Sequence, residues 1–135
     1  IIADTSFILG VVNRQDLNHE ICVKLYQQQS TITVPQSVLT EVAYMINREM
    51  GKRGLVQFLR GLPNGRLRIE ALSSEDLFRT AAILDQYSDS RVDFVDASIM
   101  AMAERLNIMR ILTLDRRDFE MVRPTHVTHF DLLPG

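Results

Sequence analysis

Arg110-Ile111-Leu112-Thr113-Leu114-Asp115 is a short, nearly continuous apolar run that stops at an acid. A strand buried on both faces reads this way, because the in-out alternation of a half-exposed strand is lost, and such strands belong to parallel sheets. The chain begins with the same motif in brief, Ile1-Ile2-Ala3-Asp4. Thr31-Ile32-Thr33-Val34 is a third, β-branched run, stopped by Pro35. Helical periodicity fills the intervals, so the expected class is α/β, a three-layer sandwich around a mostly parallel sheet.

After Asp4, Phe7 to Val12 reads as a short buried helix that Thr5 would cap, and Asn18 would cap a second helix running to Gln29. Ser37 would cap a third helix, broken at Gly51 and Gly54, with Leu55 to Leu62 following. Leu67, Ile69 and Ala71 alternate with Arg68 and Glu70, the pattern of an edge strand. Ser73 or Ser74 would start a helix with Leu77, Ala81 and Leu84 on its apolar stripe, and Phe94 to Leu106 forms the next helix. A last weak strand is expected around His126 to Thr128.

With 135 residues, 46% of them hydrophobic and 24% charged, the chain has apolar material for one core, and residues 1–135 read as one domain without repeat or linker. The one cysteine, Cys22, cannot form an internal disulfide and sits between Ile21 and Val23 as a small buried residue. No apolar stretch approaches the length of a membrane span, and Ile1 to Ala3 is too short for a signal-peptide core, so a cytoplasmic location is expected. A net charge of -2 does not advertise a nucleic-acid binder. The charge is uneven, however: Arg48, Lys52, Arg53, Arg60, Arg66 and Arg68 face only Glu49 in that part of the chain. A basic patch and a solvated helical face both fit this run.

Asp4 and Asp115 each end an apolar strand, and in open α/β sheets the loops at strand carboxyl ends form the binding crevice. Glu41 and Asp96 would come from helices that start near the same edge. Acids near a helix N-terminus gain about 0.3 to 1 kcal/mol from the macrodipole. That bland reading is preferred for Asp93 and weighs evenly for Glu41. Asp96 lies among Val95, Ala97, Ile99 and Met100, where an acid needs a partner. Two carboxylates about 4 Å apart repel by roughly 4 kcal/mol at an effective dielectric of about 20, so four together call for a cation. Oxygen-only ligands point to a hard ion, Mg²⁺ or Mn²⁺, able to drive in-line displacement at phosphorus.

These segments, with Asn18-His19-Glu20, Val34-Pro35 through Thr40-Glu41-Val42, Asp96-Ala97-Ser98 through Ala103-Glu104, and Leu112 through Phe119, resemble PIN-domain nucleases, in particular the VapC-like toxins of toxin-antitoxin pairs. The resemblance implies a five-stranded parallel sheet and Mg²⁺- or Mn²⁺-dependent endonucleolytic cleavage of RNA that leaves 5′-phosphate and 3′-hydroxyl ends. It makes Asp4 and Asp96 the principal metal ligands, Glu41 a direct or water-mediated ligand, and Asp115 the support of a second ion or a water. Ser6 and Thr113 would orient water or phosphate, and Asp93, on the helical face of Asp96, is a possible fifth acid. The resemblance also implies a homodimer and a small antitoxin docked in a groove formed by the helices from Val38 to Leu62.

Arg116 and Arg117 beside Asp115 are candidate RNA-backbone contacts. His126 and His129 have no further ligand nearby for a zinc site, Gly51-Lys52 lacks the earlier glycine of a phosphate loop, and no serine-hydrolase elbow is present. Two other classes compete with the nuclease: a non-catalytic binding domain of the same fold, and a receiver-like phosphate-accepting module. The last lysine, Lys52, precedes the late strands where a receiver needs one.

Overall fold

The computed structural model describes residues 1–135. Five strands, β1 Ile2–Ala3, β2 Ile32–Pro35, β3 Leu67–Glu70, β4 Arg110–Leu112 and β5 Asp131–Leu133, form one sheet in the order β3-β2-β1-β4-β5. Every pairing is parallel, with Ile2 opposite both Thr33 and Ile111, Ile32 opposite Leu67, and Arg110 opposite Asp131. Six helices surround it: α1 Thr5–Val12, α2 His19–Gln28, α3 Gln36–Gly61, α4 Ser74–Gln86, α5 Phe94–Leu106 and α6 Arg117–Met121. α1 packs on α2 and α3, whereas α4 and α6 pack on α5. The apolar runs behave as expected, Ile2, Ala3, Ile32, Ile111 and Leu112 being fully buried. No helix is long and apolar enough to cross a membrane.

The strand order places the switch point between β1 and β4. From β1 the chain moves outward to β2 and β3, then crosses back to lay β4 and β5 on the other side. Connections on the two sides depart in opposite directions, which leaves a crevice at the carboxyl ends of β1 and β4. Asp4 and Asp115 follow those two strands.

Several local expectations change. Asp4, not Thr5, caps α1: its extended backbone (φ −89°, ψ 164°) lets Oδ1 accept from the Thr5 amide at 2.7 Å. Ser37 lies inside α3, where its hydroxyl bonds that of Ser98 on α5 at 2.7 Å, and Pro35 precedes the helix. Asn18 makes no side-chain cap bond to α2. Of Gly51 and Gly54, only Gly51 breaks the helix, with φ 75° in the region that glycine enters without strain. On α4 the inward face is Asp76, Thr80 and Ile83; Leu77 is 48% exposed and Ala81 faces outward. Asp76 turns that face inward because Arg105 of α5 meets it with two hydrogen bonds, of 2.7 and 3.0 Å.

The last strand is displaced from His126–Thr128 to Asp131–Leu133. His126 Nε2 is bonded to the Ile108 carbonyl at 2.7 Å, which holds residues 126–129 in turns at the lower end of β4. Pairing with β4 begins only where Asp131 meets Met109 and Arg110, and buried Leu132 then supplies the apolar contact. β3 does lie at the sheet edge, although Ile69 is 37% exposed rather than covered.

Candidate metal centre

Asp4 is 5% exposed, at the point where β1 gives way to α1. Its Oδ1 is taken by the Thr5 amide and its Oδ2 by the Thr113 hydroxyl, at 2.8 Å. Thr113 Oγ1 also accepts from the Asp115 amide at 3.0 Å. With the Thr113 proton given to Asp4, the Ser6 hydroxyl is left to donate across 3.3 Å to Thr113, while it accepts from the Leu114 amide at 2.9 Å. Ser6 and Thr113 thus stitch the β4 loop to the start of α1 and aim Asp4. Ser6 also lines the acidic pocket, whereas Thr113 lies behind Asp4 and is fully buried.

Asp96 comes from α5. Asp93 caps this helix through the Asp96 amide (2.9 Å), and Asp96 reaches back to the Asp93 amide over a long 3.4 Å. The acid at 96 therefore has a structural partner that its apolar neighbours had concealed: it closes a capping box. The bond is too long to offset its surroundings. Burial, then the charges of Asp93 and Asp4, push its carboxyl up to about 8. Burial pushes Asp4 up to about 6, opposed by the bonds from Thr113 and Thr5 and reinforced by Glu41 and Asp115.

Glu41, in the second turn of α3, and Asp115, after β4, complete the quartet. Both line one open pocket of about 450 Å³ with Asp4 and Asp96. Asp93 lines it as well. Two charged lining residues were not singled out from sequence: Asp118, 7% exposed in the first turn of α6, and Arg91, in the loop before α5. The spacing Asp115-x-x-Asp118 at a helix entry was a readable signal for the former. Nothing local marked the latter.

The expected RNA contacts divide. The Arg116 guanidinium binds Glu120 Oε1 (3.1 Å) and the carbonyls of Leu132 (3.3 Å) and Pro134 (2.8 Å), tying the turn to β5. Arg117 is exposed and makes no such bond. In the basic stretch, Arg66 reaches the Gln29 carbonyl and stacks on Tyr26, and Arg68 bonds the carbonyls of Gly65 and Leu67. Arg66 precedes β3 and Arg68 lies in its amino-terminal half, away from the carboxyl edge where the acids gather.

The donor set suits a hard divalent cation: six carboxylates, Asp4, Glu41, Asp93, Asp96, Asp115 and Asp118, with no sulfur or imidazole. Thr5 Oγ1, in the same pocket, is buried without a hydrogen-bond partner, as a polar atom next to a ligand position would be. As the chain stands, no three acids close around a single point. The carboxylates of Glu41, Asp115 and Asp118 are bonded to no neighbour, and can swing toward an ion.

Residues 1–123 match the PIN domain family. Ribonuclease VapC26 of Mycobacterium tuberculosis is 27% identical over 134 residues, covering 98% of this chain and 99% of that protein. Among solved structures, M. tuberculosis VapC20, a sarcin-ricin loop cleaving toxin, superposes with a TM-score of 0.77 at 21% identity, over 86% of this chain and 90% of that one. The VapBC2 complex of Rickettsia felis, bound to a promoter DNA fragment, gives 0.70 at 18% identity over 97% and 96%. With the family pattern matched over most of its length and the acids gathered at the sheet's switch point, the chain belongs to the PIN-domain family.

Proposed function

We propose that this chain is a Mg²⁺- or Mn²⁺-dependent endoribonuclease and the toxin of a toxin-antitoxin pair. The observation that carries the reading is the meeting of six carboxylates from four segments of the chain in one pocket, two of them held well above the ordinary carboxylate range. The similarity to a curated ribonuclease over 98% of the chain supports RNA as the substrate. It also sets the receiver-like alternative aside.

Asp4 and Asp96 would be the principal ligands of the ion, Glu41 a direct or water-mediated one, and Asp115 with Asp118 the support of a second ion or a water. A bound divalent ion supplies Lewis-acid polarisation of a phosphoryl oxygen and an activated water. The chain's own part is positional. Thr113 and Ser6 fix Asp4, the capping box fixes Asp93 and Asp96, and Thr5 offers its free hydroxyl to a water. Arg117 is free to meet the RNA backbone, and Arg116 holds the turn that presents it.

The antitoxin reading has support in the neighbouring complexes and in the exposed apolar side chains of α3. Val42 and Ile46 are core, but Met50, Val56 and Leu59 are 37 to 42% exposed. An apolar groove of about 240 Å³ runs between α1, Tyr26 of α2 and the end of α3, lined by Phe7, Val11, Phe58 and Leu62 among others. A small protein that lays an apolar segment there would be the antitoxin, and the toxin would pair with itself as a homodimer.

The test is single-turnover cleavage of a structured RNA with Mg²⁺ or Mn²⁺, comparing wild type with Asp4→Asn and Asp96→Asn. Each variant is expected to lose about 10²- to 10³-fold in rate, the scale seen when one charge-stabilising group is removed from an active site. Equal rates in all three proteins would overturn the nuclease reading in favour of a binding-only domain.

A further inference from the structure

The geometry points to Arg91 as a phosphate-binding residue of the acidic pocket, gripping a backbone phosphodiester of the bound RNA. The assignment rests on the nuclease reading above.

Arg91 is the only basic residue among the ten that line the pocket. Six carboxylates share that lining, yet Arg91 forms an ion pair with none of them, nor with any other acid in the chain. An arginine kept to balance the acids would sit on one of them, as Arg105 sits on Asp76 and Arg79 on Glu104. Its side chain is exposed, so its fork of donors is available to a ligand from outside.

The backbone beneath it is fixed. Ser90 Oγ donates to the Tyr87 carbonyl at 2.6 Å and accepts from the Val92 amide at 3.2 Å. Val92 is 8% exposed, and Asp93 follows as the cap of α5. Tyr87 is anchored in turn, its hydroxyl accepting from the Arg123 amide at 3.0 Å. Arg91 therefore projects from a braced turn between α4 and α5, and reaches the pocket with little backbone freedom to lose on binding.

The ligand class follows from charge. A phosphodiester adds an anion to a pocket already crowded with acids, so approach requires a cation from the protein beside whatever ion the acids hold. Guanidinium suits this role because its planar fork matches two phosphate oxygens at once. Arg66, Arg68 and Arg116 are bound to backbone carbonyls, and Arg117, though exposed, is not part of the pocket lining. Arg91 alone stands among the acids.

The test is equilibrium binding of a fluorescently labelled RNA hairpin, with Ca²⁺ in place of Mg²⁺ so that binding is read without turnover, across a salt series. Arg91→Gln is expected to weaken binding about tenfold and to lower the slope of log Kd against log salt by about 0.7, the loss of one phosphate contact to single-stranded RNA. Arg91→Lys should restore the slope but not the full affinity. Arg53→Gln, an exposed change on α3, should alter neither. Under Mg²⁺, Arg91→Gln should raise KM with its melting temperature unchanged, since the side chain holds nothing in the fold. Wild-type Kd and slope in Arg91→Gln, in a protein that binds and cuts RNA, would overturn the role of Arg91 while leaving the nuclease reading standing. A wild type that neither binds nor cuts RNA would overturn both.

Discussion

Asp4 and Asp96 are held in the folded chain with their carboxyls above the ordinary value of 3.8, at about 6 and about 8. The folded state then binds protons more tightly than the unfolded chain, so stability of the metal-free protein falls as pH rises from about 4 through 8. Asp96→Asn removes part of that cost. At pH 8 without metal it should stabilise by about 1 to 2 kcal/mol, after solvent screening at a partly exposed site, or a few degrees in Tm. At pH 4, where the native acid is also neutral, the difference should vanish. Thermal melts at the two pH values check this; a variant no more stable at pH 8 would count against a crowded acidic cluster. Thr113→Val has the opposite sign. It strips the donor from Asp4 and the acceptor from the Asp115 amide, and should cost about 1 to 3 kcal/mol while impairing cleavage.

At the scale of elements, two devices outside the pocket set the framework. α4 is docked on α5 by Arg105 on Asp76 and by Arg79 on Glu104, the latter carboxylate also bonded by Thr125 at 2.8 Å. Asp76 has a side chain with no solvent exposure, so Asp76→Ala leaves Arg105 only its longer pair with Glu70, at 3.8 Å, and removes the half of the capping box that accepts from the Ser73 amide. The expected loss is about 3 kcal/mol, read as a denaturation midpoint. The other device is the kink of α3 at Gly51. Gly51→Ala puts a side chain at φ 75° and should cost about 1 kcal/mol, or straighten the helix and reshape the apolar groove. A denaturant midpoint equal to wild type, with the groove intact, would show that the left-handed residue is unnecessary. Ser73, Asp93 and the edge position of β3 were legible locally, since caps and half-exposed strands are written within a few residues. The α4 stripe was not: Asp76 is charged, and only its partner on another helix makes that face the buried one.

Across the whole molecule, the parallel order β3-β2-β1-β4-β5 concentrates negative charge at one edge of the sheet while the chain carries a net charge of only -2. Any divalent ion that relieves this repulsion binds the folded state alone. Mn²⁺ or Mg²⁺ at about 100 times its dissociation constant should therefore add roughly 2.7 kcal/mol of stability. Asp4→Asn should abolish most of the shift in Tm. An ion held by Asp4 and Asp96 would compete with protons there, so its apparent affinity should rise between about pH 6 and pH 8, a dependence that calorimetric titration would read directly. Affinity independent of pH would place the ion away from these two acids.

The sequence by itself determined the α/β class, the covered strands at Ile2–Ala3 and Arg110–Leu112, the helix over Phe94–Leu106, and an acid at the end of each central strand. These are local matters of hydrophobic period and capping chemistry, and local order is written in neighbouring residues. Only the tertiary structure decided which side chains share the pocket with the four expected acids. Asp118 and Arg91 joined them, Arg116 was drawn off to the carbonyls of Leu132 and Pro134, and Asp96 acquired a capping partner. His126 similarly shifted the last strand by committing itself to Ile108. Arg116, Asp96 and His126 were claimed by partners outside the apolar pattern, whereas Asp118 and Arg91 were brought to the pocket by the path of the chain. Periodicity counts apolar residues along one element and carries no record of such partners, whereas burial makes most polar groups find one.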